Sequence, residues 1–192
     1  MKSSTKLVLA MAVCSLLAAC GKSTEAPDNA AAPPVNGSEE APAQKMPTSI
    51  VPAEGGVTSV DVLRLAGLAA TKAPCSLDLI AGKSVVPGPV SIADGSDILF
   101  QGWISNPELQ SPGTIAVILS GERAYAIRGR AGGDRPDVAK ILKADGLAKS
   151  GYNVNTKLVG VSPGEYSISL IQDWNGTTIQ CPTKAKIIVT AP

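Results

Sequence analysis

The sequence offers few residues that could do chemistry, and the types that are missing exclude several reaction classes. It contains no histidine, which removes the most common general base, the Ser-His-Asp and Cys-His arrangements and the most common metal ligand. Lysines or paired carboxylates could still carry acid–base chemistry, but no such cluster stands out along the chain. We therefore predict a protein that is not an enzyme, with no catalytic residues, no metal site and no cofactor.

Arginines form the strongest candidate for a binding site. Four of them lie within thirteen residues: Arg123, Arg128, Arg130 and Arg135. If residues 124–130 form a strand, Arg128 and Arg130 project from the same face, next to a helix start that carries Arg135. Guanidinium groups and helix N-terminal amides both suit phosphate or carboxylate. The cluster could thus bind lipopolysaccharide phosphates, another anionic glycan or an acidic partner. The simpler interpretation is a solvated edge on which Arg135 pairs with Asp134 or Asp137.

Two tryptophans could serve as platforms for a sugar ring. Trp103 has the opposite parity to Phe100 in its strand pattern, so it could face away from that core layer, and Trp174 precedes the predicted turn Asn175-Gly176. The simpler interpretation is that Trp103 packs in the core or under a helix and that Trp174 shields the turn. A net charge of +1 and an aromatic content of 3% argue against nucleic acid as a partner.

The N-terminal residues have the pattern of a secretory signal peptide. Lys2 and Lys6 precede an apolar run at residues 7–19, which ends in small residues. A helix needs about 20 apolar residues to cross the hydrocarbon of a bilayer, so this run is too short to span one. We predict that residues 1–19 are removed on export.

The sequence Leu17-Ala18-Ala19-Cys20 resembles the cleavage site of bacterial lipoproteins. The resemblance implies cleavage before Cys20, acylation of that cysteine and, because Gly21 rather than Asp follows, sorting to the outer membrane. Two or three acyl chains anchor a protein stably, whereas a single chain is marginal. The alternative is an ordinary signal peptide that happens to contain a cysteine.

Cys75 and Cys181 are the cysteines that remain after cleavage and acylation. An exported chain meets an oxidising compartment, so these two most simply form one disulfide. Two free thiols or a redox pair are the alternative, although the C-x-x-C spacing of redox pairs is missing. The sequence does not decide whether such a disulfide would join two sheets or two neighbouring strands.

The composition changes near residue 57. Residues 20–56 follow the predicted signal peptide and are rich in Pro, Ala, Ser and Glu, with few large apolar side chains. Such a segment cannot bury enough apolar surface to offset the entropy of ordering. We predict that residues 20–56 form an acylated cysteine with a disordered tether, and that residues 57–192 form a single folded domain.

The pattern within residues 57–192 is mainly that of short strands. Residues 98–105, 114–119, 124–130 and 152–161 have strand patterns, and Asn175-Gly176 predicts a tight hairpin. One helix is expected to begin at Asp134 and to end near residues 145–146, while residues 57–70 suit either a helix or a strand. We predict an Ig-like antiparallel β-sandwich of seven to eight strands with one short helix.

The order of several short motifs is similar to that of small β-sandwich accessory domains in bacterial envelope proteins, some attached to membrane glycosyltransferases. The motifs are Cys75 with Leu77-Asp78, Gly102-Trp103-Ile104, Arg135-Pro136-Asp137-Val138, Ser150-Gly151-Tyr152, Gly164-Glu165-Tyr166 and Cys181. The resemblance implies a domain without catalytic residues and points to envelope glycans.

These features together lead to a functional hypothesis. We expect an outer-membrane lipoprotein, facing the periplasm or the cell surface, that acts as a non-catalytic binding or assembly module in the cell envelope. Its partners would be the membrane, through the acyl chains, and an envelope protein or anionic glycan. The alternatives are an accessory protein that binds anionic glycan or lipopolysaccharide through the arginines, and a histidine-free hydrolase of envelope polymers.

Overall fold

The computed structural model describes residues 49–52 and 56–192. The predicted signal peptide, Cys20 and the rest of the predicted tether lie outside the described residues. Within these residues the strands are β1 (Val57–Val60), β2 (Ala69–Ala70), β3 (Cys75–Ile80), β4 (Lys83–Ser84), β5 (Val90–Ala93), β6 (Asp97–Ile104), β7 (Thr114–Ser120), β8 (Ala124–Gly133), β9 (Gly151–Lys157), β10 (Gly164–Trp174) and β11 (Thr177–Thr190). The helices are α1 (Val62–Ala66) and α2 (Pro136–Leu142), and Asp145–Leu147 forms a short 3-10 helix.

The strands form a curled sheet in the order β2-β11-β10-β7-β8-β9-β6-β3-β4, with β1 added beside β8 and β5 beside β11. The corner of this curled sheet lies in β8, which pairs with β7 up to Arg130 and with β9 from Ala131 onward. The ladder shifts register there, around Gly132, whose φ of 147° favours glycine. The sheet therefore folds back on itself into two facing layers, and the predicted mainly β sandwich is confirmed.

The described residues hold more strands than the seven to eight that the sequence predicts, and the additional ones are short. Seven strands have six or more residues, whereas β1, β2, β4 and β5 have two to four. β2 and β4 have only two residues each, which is too few for an alternating pattern of their own. The sandwich is also not wholly antiparallel, since β2 and β5 both run parallel to β11.

The main core lies between the two layers. It is built from alternate positions of the long strands, including Phe100 of β6 and Ile115 of β7, which are fully buried. The predicted inward alternation of Tyr166, Ile168 and Leu170 on β10 is confirmed, since all three are buried. Each such side chain contributes about 1.5–3 kcal/mol through removal of apolar surface from water.

A second apolar cluster covers the opposite face of β7. Ala116 and Ile118 point to this face and pack with Ile171 of β10, so β7 is buried on both sides. This explains its nearly continuous apolar sequence. Ile50, which precedes β1, and Leu65, which lies on α1, cover this cluster on its outer side. Ile50 is only 7% exposed, so residues 49–52, which the predicted boundary at 57 assigns to the tether, pack on the domain.

Residues 57–70 contain both of the structures that their sequence suits. β1 ends at Val60, and the side chain of Asp61 then caps α1 by accepting a hydrogen bond of 2.8 Å from the Leu63 N–H. The prediction of one short helix is therefore wrong, because α1 was not separable from the neighbouring strand pattern. None of the described helices is long and apolar enough to cross a membrane.

The predicted helix is present as α2, but both of its ends differ from the prediction. The N-cap position is held by Arg135 without a side-chain cap bond, while Asp134 forms an ion pair with Lys149 at 2.6 Å. The helix ends at Leu142 because Lys143 adopts a left-handed conformation with φ of 53°. Asp145-Gly146 belongs to the separate 3-10 helix.

Candidate functional site

The predicted disulfide between Cys75 and Cys181 is present, with the two Cα atoms 6.4 Å apart. Cys75 begins β3 and Cys181 lies within β11. These are the last long strands at the two ends of the curled sheet. The disulfide therefore joins the two layers at the side opposite the β8 corner, which answers the question that the sequence left open.

The two joined strands leave part of their outer edges without a strand partner. β3 pairs with β4 only from Leu79 onward. β11 pairs with β2 at Ile179 and Gln180, and with β5 from Ile187 onward. Among the described residues, 75–78 of β3 and 181–186 of β11 are thus free of a strand on that side. An open edge of this kind presents main-chain donors and acceptors.

A groove with a volume of about 590 Å³ lies between these two open edges. We call it the seam groove, and it is lined by residues 75–77 of β3, by residues 85, 86, 88 and 89 of the following loop and by residues 182–186 of β11. Leu77 and Ala185 form its buried floor, since both belong to the main core. Val86 on its wall is 88% exposed. Val86 therefore adds an apolar side chain in contact with water to a groove whose floor is also apolar.

The charged residues of the seam groove are basic. Lys184 and Lys186 lie on β11 at its rim, and no Asp or Glu is among the lining residues. Lys186 is paired with Glu165 at 2.6 Å. Lys184 is exposed and forms no ion pair with any of the described residues. The rim therefore favours an anionic group.

The four arginines lie within β8 and just beyond its two ends. Arg123 precedes β8 and Arg135 follows it, so the ten residues of this strand separate them. Arg128 donates a hydrogen bond of 2.7 Å to the Pro52 carbonyl and thereby holds the segment 49–52 on the sheet. Arg130 is exposed farther along the same strand. Arg128 and Arg130 are two positions apart on β8 and share a face of that strand, while Arg128 and Arg135 are already bound by internal acceptors.

Arg135 is engaged by two carboxylates. Its guanidinium contacts Asp137 at 2.9 Å and Asp78 at 3.0 Å, so the pairing with Asp137 that the simpler interpretation expected is found. These hydrogen bonds raise the pKa of Arg135, and Arg135 in turn lowers the pKa of Asp137. With two carboxylates on one guanidinium, Arg135 is a connector between β3 and α2 and not a free anion ligand.

A small polar hollow lies beside Arg135, over the neighbouring paired strands β6 and β9. The Tyr152 ring covers Gly102, its partner on the neighbouring strand, and its hydroxyl donates a hydrogen bond of 3.0 Å to the Ser76 carbonyl. Burial, followed by the charge of Asp78, raises the pKa of Tyr152 well above its usual value. The tyrosine therefore stays neutral, and its contacts are those of a packing residue with a satisfied hydroxyl.

Trp103 and Trp174 lie in different environments. Trp103 is half-buried and packs against Val138 and Ala139 of α2 and against Leu147, as the simpler interpretation expected. Trp174 pairs with Thr177 across the Asn175-Gly176 turn and is half-buried. The predicted hairpin is confirmed by the left-handed φ angles of 47° and 76° at these two turn residues.

The sequence reasoning missed the residues that make the seam groove. Val85 and Val86 stand in the run Ser84-Val85-Val86-Pro87-Gly88-Pro89, where apolar side chains within a Pro/Gly loop are a signal that could have been used. Lys184 carries no such signal, because its position on the rim depends on the pairing of the two sheet ends. No group of three or more metal-ligating side chains occurs in the part of the chain that the structure describes.

Comparisons with known proteins give no relative for this chain: no protein-family model, no curated protein and no solved structure matches it.

Proposed function

We propose that this chain is an outer-membrane-anchored lipoprotein that acts as a non-catalytic binding or assembly module in the cell envelope. The observation that carries the binding proposal is the seam groove. It combines an apolar floor, an exposed apolar wall and a basic rim between two open strand edges. A groove of about 590 Å³ has the size of an ordinary ligand site, which lies between about 300 and 1,000 Å³.

Two features support the envelope location. The Leu17-Ala18-Ala19-Cys20 sequence predicts an acylated N-terminus, and disulfides persist mainly in oxidising compartments such as the periplasm. The Cys75–Cys181 bond is therefore consistent with export. It also positions the groove, because it sets the distance between the two strands that flank it.

The contacts of the arginines favour this proposal over the anionic-glycan alternative. Arg128 and Arg135 already bind the Pro52 carbonyl and two carboxylates respectively, so a glycan would have to displace internal partners. The polymer-hydrolase alternative needs a pair of carboxylates that flank a cleft. Asp78 and Asp134 both line the polar hollow, but each already has a cationic partner, Arg135 for Asp78 and Lys149 for Asp134. The seam groove has no comparable internal occupant among the described residues.

Site-specific photo-crosslinking in intact cells tests the proposal. A photoreactive amino acid is placed at Lys184 in the full-length chain, and the matched control carries it at Lys140, which is an exposed lysine on α2. We expect a discrete covalent product from position 184 that position 140 does not give. We also expect this product to be lost in a Cys20→Ala chain, because the partner is an envelope component.

Two results would contradict the proposal. One is the same set of products from positions 184 and 140, which would indicate random collision. The other is a turnover of an envelope polymer that a single Asp, Glu, Lys or Ser substitution abolishes, because the chain would then be an enzyme.

A further inference from the structure

We propose that the seam groove takes up an extended, acidic polypeptide segment as an added β-strand. This inference rests on the proposed function and names the chemistry of the partner. Strand addition uses main-chain hydrogen bonds for affinity and pockets for alternate side chains for specificity. The groove offers the main-chain groups of β3 and an apolar floor, and its basic rim favours an acidic guest.

The main-chain groups of β3 are directed at the groove. The Ser105 N–H donates a hydrogen bond of 3.1 Å to the Pro74 carbonyl, so residue 74 bonds toward β6. Since bonding residues alternate along an antiparallel ladder, the main-chain groups of Cys75 and Leu77 point to the outer edge. Among the described residues, no strand lies there to accept them. An incoming extended segment could therefore bond to both residues.

β11 supplies a second, weaker edge. The Gln180 carbonyl accepts a hydrogen bond from Thr71 on the outer side, so the next outward-facing residue is Pro182. This residue offers a carbonyl but no N–H. The ladder between β10 and β11 then shifts register across residues 183–185. A guest strand is therefore expected to pair with β3 and to make only isolated contacts with β11.

The floor of the groove suits the side chains of an extended segment. Leu77 and Ala185 are 4% and 3% exposed, and Val86 adds an apolar wall. Every second side chain of a strand points to the same face, so a guest strand would place alternate apolar residues on this floor. Covering Val86 would also remove an exposed apolar side chain from water.

The charge of the rim selects an acidic guest. Lys184 is exposed and without an ion pair among the described residues, and no carboxylate lines the groove. Lys186 is already paired with Glu165, so acidic side chains on the outward face of the guest would pair with Lys184. A basic guest would meet like charge, which disfavours binding and slows encounter.

A peptide fits the groove better than the other two possible occupants. An acyl chain would fill the apolar floor but would leave the main-chain groups of Cys75 and Leu77 without hydrogen-bond partners in a drier environment, which is costly. A second copy of this chain would bring a basic rim against a basic rim. Both occupants are included as outcomes of the experiment.

Fluorescence polarisation with the full-length chain, purified in detergent, tests the inference. The probe is a labelled eight-residue peptide of alternating valine and glutamate. One comparison peptide alternates valine and lysine, and another has the acidic sequence with N-methyl groups on alternate residues. We expect saturable binding of the acidic peptide alone, because lysine reverses the charge match and N-methylation removes main-chain donors.

Paired variants assign the binding to the groove. Lys184→Glu should weaken the acidic peptide by roughly tenfold or more, since attraction becomes repulsion, whereas Lys140→Glu makes the same charge change on α2 without effect. Val86→Asp should also weaken binding, whereas Leu63→Asp alters an 82% exposed leucine on α1 and should not. Amide hydrogen exchange at residues 75–77 should slow when the peptide is bound.

Each other result overturns the inference. Equal binding of the N-methylated peptide rejects strand addition, and equal binding of the lysine peptide rejects the acidic preference. Saturable binding of palmitate that Val86→Asp abolishes, without peptide binding, assigns the groove to an acyl chain. A dimer of this chain that dissociates on the Val86→Asp substitution assigns the groove to a second copy. If no peptide binds while the Lys184 crosslink in cells persists, the inference fails and the proposed function stands; if both are missing, both fail.

Discussion

At the scale of single residues, Gly102 occupies a position that has no room for a side chain. A Cβ atom there would overlap the Ser76 carbonyl oxygen and would lie 2.6 Å from the Tyr152 hydroxyl. Both neighbours are held in place, the first by its strand and the second by burial. We expect Gly102→Ala to lower the free energy of unfolding by about 1–3 kcal/mol, measured by urea denaturation.

Gly67→Ala is the matched control for this prediction. Gly67 has φ of −83°, which alanine adopts readily, and a Cβ there would lie 3.7 Å from its nearest neighbour. Its free energy of unfolding should change by less than about 0.5 kcal/mol. An equal change in the free energy of unfolding for Gly102→Ala and Gly67→Ala would contradict the close approach of β3 and β6 at Gly102.

Tyr152 makes the stability of the domain sensitive to alkaline pH. Burial and the charge of Asp78 raise the pKa of its hydroxyl above the unfolded value of about 10. Because the folded pKa is the higher one, this stabilisation is fully present below about pH 10 and is lost as the pH rises from there toward the folded pKa. We expect the free energy of unfolding to fall above about pH 10.

The comparison with Tyr152→Phe isolates this contribution. The variant loses the hydrogen bond to Ser76 and is expected to be less stable at neutral pH, but its stability should fall less steeply above about pH 10. Urea denaturation at several pH values measures both slopes. If the free energy of unfolding fell with pH at the same slope in both proteins, another group would cause the loss of stability at alkaline pH.

The residue types of the candidate site could be read from the sequence, but their partners could not. Arg128 binds the Pro52 carbonyl 76 residues away, and Arg135 binds Asp78 at a separation of 57 residues. The alternation of a strand correctly gives residues that share a face. It contains no information on which distant segment covers that face, so the spacing of the arginines could not show that Arg128 and Arg135 bind internal partners.

At the scale of elements, the disulfide connects the two ends of the curled sheet across 106 residues of chain. A loop of this length restricts the unfolded chain strongly, and the chain-entropy model gives about 4–5 kcal/mol for it. We expect a double variant, Cys75→Ala with Cys181→Ala, to lose most of this amount in urea denaturation. Reducing agent should lower the stability of the natural sequence and leave the double variant unchanged.

The same variant tests the effect of the disulfide on the groove. Because β3 and β11 have no described ladder between them, removal of the disulfide should speed amide exchange at residues 75–77 more than in β7 and β10. A uniform increase across all strands would contradict the view that the disulfide positions this seam. It would indicate a purely global effect on stability.

Elements with their own sequence pattern were predictable, and elements defined by their neighbours were not. The alternation in β10 and the apolar run in β7 identify these strands at once. β4 has two residues, and it is a strand only because Ala81 and Gly82, with φ of 48° and 74°, turn the chain back onto β3. Ile50 and Val51 are an isolated apolar pair after a long Pro/Ala-rich run, and the sequence does not show that they cover the second core cluster.

At the scale of the whole molecule, the proposed function requires attachment to a membrane. Cys20→Ala removes the predicted acylation site and leaves residues 49–192 unchanged. We expect this variant to move from the membrane fraction to the soluble envelope fraction, because the remaining chain has no second anchor among its described helices. Cell fractionation with labelled palmitate measures both properties. A variant that stays in the membrane fraction would contradict the lipoprotein proposal.

The central claim is that a partner occupies the seam groove in the cell envelope. Amide hydrogen exchange of the full-length chain, compared between isolated envelopes and the purified protein, tests this claim most directly. Our account predicts slower exchange in envelopes at residues 75–77 and 183–186, with α2 unchanged. Equal exchange in the groove under both conditions, or protection confined to α2 or to the arginines of β8, would contradict it.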